Sequence, residues 1–182
     1  LDSVEVSVRA SPGRAQWALR RARLLEGAVR PGGAARLECS LELWRGAEET
    51  RLLEVPVPEE LPDGTYRVWV GGGSELARLE AARQPARYRP RSLDDAWRRL
   101  GALRRSTALY AVVLVDAPGV TADGNDYPEL PGSAGALLSS RLAAAGQDGR
   151  SDRAFVAETA LPVAGVVRGE LQLGITVDSK AP

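Results

Sequence analysis

The sequence predicts a mainly β protein. Residues 1–73 read as a strand-rich, sandwich-like unit, and residues 74–182 as a smaller mixed α/β subdomain packed on it. Three observations predict this. Short segments alternate apolar and polar residues with period two, Pro, Gly and Asp turn signals separate them, and helix-period segments with capping residues gather beyond Gly73. The chain has 182 residues, 44% hydrophobic and 26% charged, with no net charge. A chain of this length buries a core without needing a metal or disulfide staple.

Val4 to Arg9 alternates as a half-buried strand does. Ala18 to Val29 is less regular and fits either helix or strand, ending at Arg30-Pro31-Gly32-Gly33. Leu37, Cys39, Leu41 and Leu43 then alternate with Glu38, Ser40 and Glu42. Leu52 to Val57 continues as a strand bounded by Pro56 and Pro58. Leu61-Pro62-Asp63-Gly64 is a turn, and Tyr66, Val68 and Val70 alternate with Arg67 and Trp69 beyond it.

In the second stretch, Leu76 and Leu79 have helical spacing within Ser74 to Ala82. Gln84 to Arg91 is a proline-broken linker. Ser92-Leu93-Asp94-Asp95 opens a stronger helix: Ser92 caps it, the aspartates favour its positive end, and Arg104 and Arg105 the other. Its apolar stripe is Leu93, Trp97, Leu100 and Leu103. Ala108 to Val115 is a continuous apolar run, the pattern of a fully buried strand. A long Gly/Pro/Asp loop over 117–132 and a helical Ser133 to Ala145 follow. Two antiparallel strands, Ala154 to Val163 and Val166 to Val177, close the chain, joined near Ala164-Gly165.

Composition restricts the chemistry. There is no His, so acid–base work at neutral pH lacks its usual residue, and no catalytic residue is assigned. Cys39 is the lone cysteine, which excludes an internal disulfide and reads as a small buried hydrophobe. Asp94-Asp95 is accounted for by the helix start, where adjacent residues do not face each other. Gly71-Gly72-Gly73-Ser74 lacks the lysine of a phosphate loop and reads as a hinge. The loop carrying Asp123, Asn125 and Asp126 collects oxygen donors suited to calcium, without the full spacing of a calcium loop. The reading is therefore a chain without cofactor or metal, and not an enzyme.

Charge is uneven. Residues 83–105 hold eight Arg against two Asp, a net of +6, while residues 106–182 hold five basic against nine acidic, a net of −4. Few aromatics accompany the basic stretch, so nucleic acid is not expected. Contact with an acidic face is the more economical reading. Trp44 and Trp69 are out of phase with the apolar positions beside them, which makes them a candidate partner surface unless the helices cover that face. A protein partner or self-association is expected. No apolar run reaches the length of a transmembrane segment. The chain begins at Leu1 and holds no Met, which reads as a piece of a longer or processed protein.

The order Pro31-Gly32-Gly33, long strand, strand, Leu61-Pro62-Asp63-Gly64-Thr65-Tyr66 resembles bacterial immunoglobulin-like domains. A wider set of stretches is similar to the C-terminal region of bacterial secreted proteins that carry a SpoIVB-type serine peptidase domain. These are Val29 to Gly33, Leu43 to Gly46, Val57 to Tyr66, Ser92-Leu93, Ala108 to Tyr110, Leu130 to Ser133 and Val163 to Val177. The resemblance implies a periplasmic or extracellular setting and a non-catalytic accessory role, with the peptidase chemistry upstream. The expected function is thus an interaction or structural module. The alternatives are support for an upstream peptidase domain, or a subunit of an extracellular lattice or fibre.

Overall fold

The computed structural model describes residues 15–44, 46–83, 92–116, 119–122, 125–128, 136–137, 140–141, 150–151 and 153–181. Val4 to Arg9 and most of Ser133 to Ala145 lie outside them. The protein is mainly β, with two four-stranded sheets. In the first sheet, β1 (Gln16–Leu24), β2 (Ala34–Leu43), β3 (Glu48–Pro56) and β10 (Val166–Arg168) lie in the order β10-β1-β2-β3. The second combines β4 (Gly64–Gly72), β5 (Ala108–Val115), β9 (Ala154–Pro162) and β11 (Glu170–Val177) in the order β11-β4-β5-β9. A small sheet joins β6 (Gly119–Ala122), β7 (Asn125–Pro128) and β8 (Arg150–Ser151), the first two within the stretch 117–132 expected to be loop. Helix α1 spans Gly73–Arg83 and α2 spans Leu93–Gly101.

The main core lies between the two large sheets. From the first come Leu19, Leu37, Cys39, Leu41, Leu53 and Val55; from the second, Val68, Val70, Leu109, Ala111, Val113 and Ile175. Period-two alternation fixes this. On β2 the odd positions Ala35 to Leu41 are buried and the even ones face solvent or the sheet's rim. Of Ala18 to Val29, the part up to Leu24 resolves as strand, with a register shift between Leu19 and Arg21, and Val29 forms only an isolated bridge. The outer face of the first sheet is tied by cross-strand ion pairs, Arg20 with Glu42 and Arg23 with Glu38. Such exposed pairs contribute little to stability, because water screens them.

The buried run of β5 has a cause other than a parallel sheet. Its neighbours β4 and β9 are both antiparallel. One face meets the main core, and the other forms a second core with Trp69, Leu76, Tyr110, Val112 and Leu114 under α1.

Val166 to Val177 is not one strand paired with its predecessor. It divides at Gly169, whose φ of +95° favours glycine. β10 pairs in parallel with β1, while β11 pairs antiparallel with β4. β9 and β11 therefore occupy opposite edges of the second sheet rather than forming a hairpin. Strands from beyond Gly73 complete both large sheets. The chain end is also fastened: Val29 bridges Val177, and Asp63 accepts hydrogen bonds from the Ser179 amide and hydroxyl at 2.8 and 2.9 Å.

Candidate functional site

The two tryptophans of the expected partner surface do not share one. Trp44 follows β2 and is 56% exposed, whereas Trp69 is 1% exposed in the core beneath α1. The out-of-phase position of Trp69 is real, but that face of β4 is covered by helix. Trp69 thus belongs to packing, and Trp44 alone of the pair is accessible.

A polar cluster fastens α1. Glu75 and Glu80 are its buried acidic residues, on a helix that otherwise buries Gly73 and Leu76. Arg104, from the turn before β5, donates to Glu80 Oε1 at 3.0 Å and to Glu158 Oε2 at 2.8 Å. Its guanidinium also lies over the Tyr110 ring, 6.0 Å from the centroid. Burial disfavours the charged guanidinium, but the hydrogen bond and charge of Glu80, with the charge of Glu158, hold the Arg104 pKa above its ordinary value. At the other end of α1, Glu75 accepts from Ser74 Oγ at 2.8 Å and from Arg78 at 3.2 Å, and Arg168 donates to Ser74 Oγ at 2.9 Å. These carboxylates meet permanently charged guanidinium groups, so the arrangement locks elements together and offers no proton-transfer pair. Sequence reasoning missed this cluster, because Glu80, Arg104 and Glu158 share no motif spacing.

The triple glycine before α1 is not a hinge. Gly71 and Gly72 pair with Tyr110 and Leu109 across β5. A Cβ on Gly72 would stand 2.2 Å from the Val167 carbonyl oxygen, so the position admits no side chain.

The remaining feature is α2. Ser92 caps it as expected, accepting from the Asp95 amide at 3.1 Å. Asp95 pairs with Arg99 at 2.9 Å, one turn on. Yet the helix buries none of its residues. Its apolar face is open to solvent: Leu93 is 64%, Trp97 51% and Leu100 60% exposed, while Leu103, expected in the same stripe, falls past the helix end at Gly101. An amphipathic helix on a folded body ordinarily turns such a stripe inward. Among the described residues, this is where large apolar side chains at helical spacing remain uncovered together.

Asp123, of the calcium candidates, lies outside the described residues. Asn125 and Asp126 fall in β7, with Ala122 and Thr121 as their partners on β6. Among the described residues no group of three or more potential metal ligands occurs. Cys39 is buried on β2, and burial, with the Glu38 charge adding, pushes its thiol up to about 11. At neutral pH it is therefore protonated, a poor nucleophile. No helix among the described residues is long and apolar enough to cross a membrane.

Comparison with protein-family models, with curated proteins and with solved structures found no match in any of the three.

Proposed function

We propose that the chain is a non-catalytic interaction module of a secreted or envelope bacterial protein, acting in the periplasm or outside the cell. The observation that carries this reading is the outward apolar stripe of α2. Exposed apolar side chains in a continuous patch mark binding surfaces. The permanently charged partners of the buried carboxylates and the protonated thiol of Cys39 leave the described chemistry suited to structure rather than turnover.

The β body is, in this reading, an immunoglobulin-like sandwich. Two four-stranded sheets enclose the main core. Tyr66, from Asp63-Gly64-Thr65-Tyr66, donates its hydroxyl to the Pro62 carbonyl at 2.7 Å, as a tyrosine corner does. The parallel β10 beside β1 is an addition to such a sandwich. The accessory role beside an upstream peptidase domain rests on the motif resemblance.

Oxidative footprinting tests the module reading. Trp97 is expected to react readily in the purified chain and to be protected in cells that make the protein. Equal reactivity in both settings overturns it.

A further inference from the structure

We propose that Asp63 is a site of spontaneous isoaspartate formation, and that the docked end of the chain holds this modification in check. The inference stands apart from the module reading and from α2.

The reaction needs an aspartate followed by an unhindered backbone amide. The Gly64 nitrogen bonds to Asp63 Cγ. The hydroxyl of the protonated carboxyl group leaves with the amide proton as water, and a five-membered succinimide remains. Water then opens the ring. Attack at Cγ restores aspartate, whereas attack at the main-chain carbonyl leaves the backbone running through Cβ, as isoaspartate. One water leaves and one returns, so mass is unchanged. Glycine in the second position favours closure, because no Cβ crowds the nitrogen. Asp63 and Gly64 are both exposed, so water reaches the ring.

The fold opposes each half of the closure. The Ser179 amide donates to Asp63 Oδ1 at 2.8 Å, and the Ser179 hydroxyl donates to Oδ2 at 2.9 Å. Hydrogen bonds to a carboxylate are the stronger kind. Closure expels one of those two oxygens, so it breaks at least one of the bonds. Gly64 opens β4 in register with Val177, so the chain end also holds the backbone on the nucleophile's side.

Chain ends fray unless they are tied down. This one is tied beyond Ser179 as well as before it. The Asp178 amide donates to the Val29 carbonyl at 3.0 Å, Arg30 Nε donates to the Ala181 carbonyl, and Ala181 is buried. Reaction at Asp63 therefore follows the fraction of molecules in which residues 177–181 have opened. Isoaspartate puts an extra backbone atom just before β4 and displaces the acceptor of Ser179. An opening that reacts is thereby made permanent.

The test incubates the full 182-residue chain in warm neutral buffer, native or unfolded in urea, and follows one tryptic peptide. Leu52 to Arg67 has Asp63 as its only Asp, and its isoaspartate form is separated by retention time at equal mass. The isomer should accumulate about tenfold or more slowly in the native chain, since modification tracks the open population. Ser179 is the second residue of a turn closed by the Ala181 amide on the Asp178 carbonyl, a place that accepts proline. Ser179→Pro therefore keeps the turn and removes both donors. It should speed the native reaction several-fold with an unchanged melting temperature, while Ser179→Thr keeps the parent rate. Equal rates in the native and unfolded parent chain overturn the proposal, whatever the variants do. So does a folded Ser179→Pro chain that reacts no faster than the parent. Absence of the isomer even in urea would show that Asp63 is no modification site.

Discussion

Glu80 of α1 and Glu158 of β9 share the guanidinium of Arg104, at 3.0 and 2.8 Å. The three residues join the covering helix, the turn before β5 and the edge strand of the second sheet. Arg104→Met removes the cation from a buried carboxylate and should cost about 3 kcal/mol, read as a lower urea midpoint. Adding Glu80→Gln to that variant should recover part of the loss, because the two changes act on one interaction. A midpoint unmoved by Arg104→Met would show that the cluster does not fasten α1.

The tryptophans of the β body should respond in opposite ways. Trp69→Ala empties the core between β4 and α1 and should cost about 3–5 kcal/mol. Trp44→Ala removes a side chain more than half in water and should stay within about 1 kcal/mol of the parent. Thermal unfolding of the two variants checks both. Similar losses from the two would contradict the placement of α1 over Trp69.

Cys39 gives the fold a dependence on alkaline pH. Its folded pKa of about 11 lies above the ordinary 9.0, so the folded state holds the proton more tightly than the unfolded state. The stability it contributes is fully present below about pH 9 and is lost as pH rises toward 11. The loss should reach about 2 kcal/mol relative to Cys39→Ala, measured as the difference in unfolding free energy between the two proteins across that window. Parallel pH profiles would show that the thiol is not held in the core.

Much of the β body was legible in the sequence, because alternation follows directly from which face is buried. Leu37, Cys39 and Leu41 announced β2, and Asp63-Gly64-Thr65-Tyr66 announced the turn into β4. The start of α2 was legible through Ser92 and its following aspartates, but its end was not: the helix stops at Gly101, short of Leu103, Arg104 and Arg105. The side to which its stripe turns was not. A stripe at helical spacing looks the same whether it meets a core or solvent. Trp69 was misplaced for a related reason, since period two shows which face a residue takes and not what covers that face. The parallel pairing of β10 with β1 and the bridge from Glu80 through Arg104 to Glu158 join distant segments. Local spacing carries no trace of either.

Everything said of function depends on Trp97 facing water in the free chain. Of the four tryptophans, Trp17 and Trp69 are buried while Trp44 and Trp97 are about half exposed. In a Trp44→Phe variant, emission that acrylamide quenches readily should therefore come mainly from Trp97. Replacing Trp97 by Phe in that background should remove most of the readily quenched component. Quenching left unchanged by the second substitution would place Trp97 against the body of the protein and contradict the outward stripe.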